Sequence, residues 1–178
     1  MKHLPKALLL VATLAAAGCT NGNRFGDAGD LNGANGAGLN NGVTSGVIPG
    51  SVDDPTSAAY FNQRVGDRVL FAVDQSTLSA EGRAILDGQA QWLMTNSDYL
   101  AVIEGHADEQ GTREYNLALG ARRANSVMEY LVSKGISQSR LKFVSYGKER
   151  PIEVCSTEAC YSKNRRAVTV IAAGGLTS

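Results

Sequence analysis

The chain has 178 residues, with 17 lysines and arginines balanced by 17 aspartates and glutamates, and 43% of its side chains are apolar. That length suits one domain with appendages, and the balanced charge offers no basic surface of the kind a nucleic-acid partner needs. No apolar run reaches the ~20 residues of a membrane-spanning helix, which excludes a multi-span membrane protein.

Residues 1–19 read MKHLPKALLLVATLAAAGC. Lys2 and Lys6 precede a short apolar core from Leu8 to Ala17, and small residues follow. This is the layout of an export signal, expected over residues 1–18. Two processing routes fit it. Ala15-Ala16-Ala17 suits ordinary cleavage before Gly18. Ala16-Ala17-Gly18-Cys19 resembles a bacterial lipobox, in which Cys19 is lipidated and becomes the mature N-terminus, although Ala16 stands where the lipobox usually has Leu. Cysteine counting favours the second route. Cys155 and Cys160 are close enough in CSTEAC to form a disulfide in an oxidising compartment. Cys19 is then the odd thiol, and lipidation gives it a use. Stable anchoring takes more than one acyl chain, each buried CH₂ contributing about 0.8 kcal/mol. Thr20, rather than Asp, follows the cysteine, and in lipoproteins of this type that implies sorting to the outer membrane. Loss of residues 1–18 removes two lysines and no acid, so the mature chain carries 15 basic and 17 acidic side chains.

Nine of the 20 glycines lie between Gly22 and Gly50, and six asparagines lie between Asn21 and Asn41. Such a segment has too little apolar surface to offset its ordering entropy. Residues 19–54 are therefore expected to be a lipidated N-terminus and a flexible linker. As a coil, 30 such residues average roughly 30 Å end to end and stretch to roughly 100 Å. A single domain is expected over residues 55–178.

Within that domain Arg68 to Val73 reads as a short buried strand. Ser79 suits an N-cap, with Glu81 in the first turn, where the helix dipole favours an acid. Ile85, Leu86, Ala90, Leu93 and Met94 give this helix an apolar side ending near Asn96, and Trp92 reads as core packing. Tyr99 to Ile103 is a second, nearly all-apolar strand. Thr112 caps a longer helix that runs to about Lys134, where Gly135 suits a left-handed C′ position and Ile136 the apolar contact that accompanies it. Leu141 to Tyr146 and Ala167 to Ala172 are further strands. The order predicts an α/β domain of the α+β two-layer kind, with helices packed on a small mixed sheet.

The stretch after the second strand, Glu104-Gly-His-Ala-Asp-Glu-Gln-Gly-Thr-Arg-Glu-Tyr-Asn116, carries the chemistry. At about 100° per residue, Leu117, Ala121, Ala124, Met128 and Leu131 fall on one side of the longer helix, the expected core face. Asn116, Leu119 and Arg123 form a second stripe beside it, and Arg122 faces solvent. The loop leaving the second strand can bring Asp108 over that stripe. A carboxylate and a guanidinium so placed could form a salt bridge with each other. They could also grip a zwitterion, Arg123 taking a carboxylate and Asp108 an ammonium through charge-assisted bonds. Spacing alone leaves both readings open.

The motifs EGHADEQGTREYN, RRAN, VSYGKERP and YSKNRRAV together resemble the OmpA-like peptidoglycan-binding domain, over about residues 66–172. The resemblance is closest to the lipidated branch of that family, to which the HADE run points. It implies non-covalent binding of the diaminopimelate side chain of the peptidoglycan stem peptide. It also implies docking with TolB, and with TolA as a further candidate, in the Tol system that draws the outer membrane in at division. A related lipoprotein without a Tol role is the alternative. Carried over, the binding residues are Asp108 and Arg123, with Asn116 and Leu119 in support and Phe71 as an aromatic of the pocket. Arg165, from Asn164-Arg165-Arg166, is expected near the site. The family often has an acid directly after the Phe, and here that residue is Ala72.

A peptidoglycan hydrolase would need a nucleophile with a base, or a metal with an open position. The mature chain has one histidine, His106, expected to be a hydrogen-bonded loop residue, and neither HExxH nor GxSxG. Asp108 and Glu109 are adjacent in sequence and cannot be assumed to flank a scissile bond. With Cys155 and Cys160, His106 makes a poor zinc set. The expectation is a binding protein, with no catalytic residue, metal or cofactor.

Overall fold

The computed structural model describes residues 46–173, Cys155 excepted. The expectations for the export signal, for lipidation of Cys19, for the linker up to residue 45 and for the Cys155 half of the disulfide lie outside the described residues.

A short helix α1 (Ala58–Tyr60) runs into one π-helical stretch (Phe61–Gly66). Then follow β1 (Arg68–Leu70), α2 (Ala80–Thr95), β2 (Tyr99–His106), α3 (Arg113–Ser133), a 3-10 turn (Gln138–Arg140), β3 (Leu141–Gly147), α4 (Glu158–Asn164) and β4 (Arg166–Ala173). The sheet order is β1-β4-β2-β3. β2 pairs parallel with β3 and antiparallel with β4, and β1 pairs antiparallel with β4. The expected two-layer α+β arrangement with a mixed sheet is the one observed. Among the described residues no helix is long and apolar enough to cross a membrane.

The helices end where the sequence says they should. Ser79 Oγ accepts from Gly82 N at 3.0 Å and Thr112 Oγ1 from Tyr115 N at 3.2 Å, each satisfying a donor that a helix start leaves unpaired. At the end of α3, Gly135 has φ +102°, and Ile136 N donates to Leu131 O at 3.1 Å while Gly135 N donates to Val132 O at 2.9 Å. That pair of bonds is the Schellman closure. The end of α2 depends on a residue the sequence did not single out. Arg140 donates to the carbonyls of Leu93, Asn96 and Tyr99 at 2.8–3.0 Å, tying the helix C-terminus to the start of β2.

Four local expectations need correction. The first strand stops at Leu70 rather than Val73, because the chain turns away through Asp74, which has φ +58°. α4 was not foreseen: EACYSKN is short, and Thr157 makes no side-chain capping bond to announce it. On α2, Met94 is 53% exposed while Trp92 is buried between Phe61 and Tyr99, with ring centroids 4.9 and 5.1 Å away.

The fourth correction concerns α3, whose buried face carries Asn116, Leu119, Gly120, Arg123, Ala124, Val127 and Leu131, whereas Leu117 is 49% exposed. The helix is rolled toward the stripe that held Asn116 and Arg123. Two glycines cause this. A Cβ on Gly105 of β2 would lie 1.9 Å from the Gly120 carbonyl oxygen, so helix and strand meet backbone to backbone at this point. A face centred on glycine leaves no trace in an apolar periodicity. Arg123 is drawn inside with that face and is fully buried.

Candidate functional site

The site lies where β2 ends and α3 begins. Hydrogen bonds fix the shape of the loop between them. Asp108 Oδ1 accepts from Gln110 N at 3.2 Å, and Asn116 Nδ2 donates to Gln110 O at 2.8 Å. Lys148 Nζ donates to Gly111 O at 2.7 Å, while Ala107 N donates to Gly147 O at 2.8 Å, so β3 braces the loop from the other side.

Arg123 ties two segments together. Its Nε donates to Gln75 O at 2.8 Å, one terminal nitrogen to His106 O at 2.8 Å and the other to Ala72 O at 3.2 Å. The guanidinium also stands over the Phe71 ring, 5.3 Å from its centroid, where the ring face attracts a cation. Burial pushes its pKa down to about 10, opposed by the nearby carboxylates of Asp108 and Asp74. It therefore stays charged near neutral pH. Among the described residues it forms no ion pair, so a full positive charge is held inside by carbonyl dipoles and one aromatic face.

Asp108 is not the partner of Arg123. Its Oδ2 meets Arg165 at 3.1 Å, with side-chain exposures of 11% and 5%. Arg165 also contacts Glu158 and donates from Nε to Phe71 O at 3.2 Å. The Glu158 hydrogen bond, with that of Asp108, holds the Arg165 guanidinium above its usual pKa, against the effect of burial. The direct Asp108–Arg123 salt bridge left open by spacing is thus replaced by an Asp108–Arg165 pair, and Arg123 keeps its carbonyl partners with no carboxylate paired to it among the described residues.

Between these groups is a cavity of about 220 Å³ lined by Val73, Asp74, Asp108, Gln110, Gly111, Tyr115, Asn116, Leu119 and Arg123. Four of the expected residues, Asp108, Asn116, Leu119 and Arg123, share its wall. Phe71 and Arg165 do not line it; they support Arg123 and Asp108 from behind. Val73, Asp74, Gln110, Gly111 and Tyr115 were not anticipated. Gln110, Gly111 and Tyr115 stand in the same loop-to-helix stretch as Asp108 and Asn116 and could have been included on proximity. The cavity is bipolar, with a guanidinium on one wall and two carboxylates on others, at a volume suited to an amino acid head group.

His106 departs from expectation. It ends β2 rather than sitting in a loop, is 1% exposed, and neither ring nitrogen has a hydrogen-bond partner. Its nearest carboxylate oxygen, on Glu104, is 3.7 Å away. Burial first, then the charges of Arg166 and Arg150, lower its pKa to about 4, so it is neutral at pH 7. A neutral imidazole packed near the Tyr146 ring, without a hydrogen bond at either nitrogen and outside the cavity wall, is no general base for that site.

Residues 70–165 match the OmpA family. A protein named peptidoglycan-associated lipoprotein from Mesorhizobium japonicum is 49% identical over 171 residues, covering 96% of this chain and 94% of that one. Its namesake from Pseudomonas aeruginosa is 42% identical over 163 residues, covering 90% and 92%. The crystal structure of the peptidoglycan-associated lipoprotein from Burkholderia pseudomallei superposes with a TM-score of 0.61 at 35% identity, over 68% of this chain and 98% of that one. The C-terminal domain of Helicobacter pylori MotB shares the fold, with a TM-score of 0.56 at 21% identity over 60% and 84% of the two chains. The chain belongs to the OmpA family and, within it, to the peptidoglycan-associated lipoproteins.

Proposed function

We propose that the protein is an outer-membrane lipoprotein that binds peptidoglycan non-covalently and tethers the membrane to the wall. Residues 1–18 are removed as a signal peptide and Cys19 carries the lipid, including an amide-linked acyl chain such as palmitate. Residues 19–54 form the linker, and residues 55–178 the peptidoglycan-binding domain in the periplasm. A disulfide joins Cys155 to Cys160 of α4. The names of the relatives support peptidoglycan as the ligand. The observation that carries the reading is the buried, charged Arg123, without an ion pair among the described residues, facing a cavity that also holds carboxylates.

The ligand complementary to that cavity is the free head group of diaminopimelate, with one carboxylate and one ammonium. Its carboxylate meets Arg123 and its ammonium meets the acidic wall that includes Asp108. Asn116 and Leu119 shape the cavity, while Phe71 and Arg165 hold the charged residues in place. Each charge-assisted bond nets only about 1.5–3 kcal/mol, so single sites are weak. Many copies anchored between two surfaces multiply that strength and keep the link reversible. No step in this account makes or breaks a covalent bond; the protein binds and does not catalyse. Through TolB, and TolA beside it, the same tether contributes to envelope integrity and to constriction of the outer membrane at cell division.

Co-sedimentation with purified cell walls tests the reading. The full chain in detergent should pellet with diaminopimelate-type peptidoglycan and remain in the supernatant with a Lys-type wall, whose stem residue has an ammonium but no carboxylate beside it. Equal sedimentation with both walls would remove the head group as the recognised element.

A further inference from the structure

The chain does not enter the sheet directly. Of residues 46–60, which come first, Ser57 alone is buried. The turn hydrogen bonds of this segment are local, from Ser51, Asp54, Ser57 and Phe61 N to carbonyls three or four residues earlier. Two side chains of the domain hold it in place. Trp92 Nε1 donates to Pro55 O at 2.8 Å and Tyr99 OH to Thr56 O at 2.9 Å. Asp53 also meets Arg64 at 2.9 Å, an exposed pair that adds little. Trp92 stands near the end of α2 and Tyr99 begins β2, whereas the cavity lies where β2 ends, about 25 Å along an eight-residue strand.

The stretch that follows is held differently. Phe61 is fully buried against Trp92, with ring centroids 4.9 Å apart. Gln89, also fully buried, donates to Gly66 O and accepts from Thr169 Oγ1, both at 2.8 Å, while Thr169 N donates to Asp67 O at 2.7 Å. β1 then pairs with β4, and soon after it Ala72 O and Gln75 O accept from Arg123. Tension applied at β1 would therefore reach the carbonyls that cradle the buried guanidinium.

We infer that residues 46–60 are a breakaway strap. Under load from the linker they peel from Trp92 and Tyr99 before Phe61, Gln89 and β1 give way, so the tether lengthens while the cavity keeps its shape. The inference rests on the tethering reading above, which puts the lipid and the wall at the two ends of this load path. Its physical reason is the contrast in burial. A segment with few buried contacts opens at low free energy, whereas core elements open only at close to the global value. A pull from residue 46 also reaches the Pro55 carbonyl before that of Thr56, so the two bonds break in turn rather than together.

The test is optical-tweezers extension of the full, unlipidated chain, gripped at the Cys19 thiol and at a cysteine introduced by Glu109→Cys in the exposed loop beside the cavity. A first lengthening of roughly 40–50 Å, the reach of residues 46–60 less their folded span, should precede opening of the sheet. Tyr99→Phe should speed that first step several-fold at fixed load, the effect of one hydrogen bond, and leave the second step unchanged. Trp92→Phe, which keeps an aromatic ring beside Phe61, should speed the first step as well. The diaminopimelate stem tripeptide should raise the force of the second step and not of the first, because the cavity is intact between them. Opening in a single step, a first step indifferent to both variants, or a first step slowed by the peptide would overturn the inference and leave the tethering reading standing. A peptide that alters neither step would overturn the tethering reading and the inference with it, since no load would then reach the strap from the wall.

Discussion

Asp108 and Arg165, 57 positions apart in sequence, meet at 3.1 Å beside the cavity, and both are nearly shut off from water. The pair fixes the carboxylate wall and leaves Arg123 with carbonyl partners and no ion pair among the described residues. Truncating one member of a buried pair leaves the other charged and uncompensated. Arg165→Ala should therefore cost about 3 kcal/mol of unfolding free energy in a urea titration. Glu158→Gln, at an exposed carboxylate touching the same guanidinium, should change the midpoint little, because solvent takes over its share. Equal losses in the two variants would show that Asp108 does not depend on Arg165.

The glycine contact between β2 and α3 makes a sharp prediction about volume. Gly105→Ala forces a methyl into the Gly120 carbonyl and should destabilise by more than about 3 kcal/mol, or prevent folding. Gly88, inside α2, is the contrasting case: its added Cβ would meet Val65 Cγ1 at 3.6 Å, an ordinary contact. Gly88→Ala should stabilise by about 0.5–1 kcal/mol through the lower entropy of the unfolded chain. Thermal melts of the two variants test this, the expected shifts having opposite signs.

His106 predicts a pH dependence with a definite sign. Its pKa is about 4 in the fold against an ordinary 6.5, so between those values the unfolded chain binds the extra proton. Stability from this group is complete above pH 6.5 and is lost as pH falls toward 4, by about 3 kcal/mol in all. Carboxylates titrate over part of the same range, so the informative quantity is the difference from His106→Gln, which cannot titrate. Unfolding free energies at pH 7.5 and pH 4.5 should fall further in the unmodified protein than in the variant. Parallel curves would mean that the ring is solvated after all.

Arg140 caps the end of α2 with four hydrogen bonds to three carbonyls. Arg140→Ala should cost about 2–3 kcal/mol, since those acceptors lose a charged donor. Arg140→Lys should recover only part of the loss, as an ammonium cannot reproduce the planar fork. Hydrogen exchange should quicken first at Asn96 and Tyr99, the amides at the junction it secures.

Much of the fold was legible because its elements are locally consistent. Ser79, Thr112 and Gly135 cap helices as their chemistry dictates, and Tyr99 to Ile103 is apolar because β2 is an inner strand. Illegible elements lacked a local signal. α4 is a single short helix without a side-chain cap, and the buried face of α3 is centred on Gly120, which adds nothing to an apolar pattern. The nearness of Asp108, Asn116, Leu119 and Arg123 could be read because all four stand on one loop-and-helix unit. Arg165 was expected near the site, but its pairing with Asp108 could not be read, nor could the place of Asp74 on the cavity wall, because each comes from a segment distant in sequence, one joined through an ion pair and the other through a left-handed turn.

The most direct test of the account observes Arg123 itself. Nitrogen-15 spectra of the protein, recorded during titration with the diaminopimelate stem tripeptide, report the Arg123 Nε–H and the Asn116 side-chain amide separately. A guanidinium that takes the ligand carboxylate should show a saturable shift of the Arg123 signal with the diaminopimelate peptide and no comparable shift with its Lys counterpart. An Arg123 signal unmoved at saturation, or moved equally by both peptides, would contradict the bipolar cavity as the site of recognition.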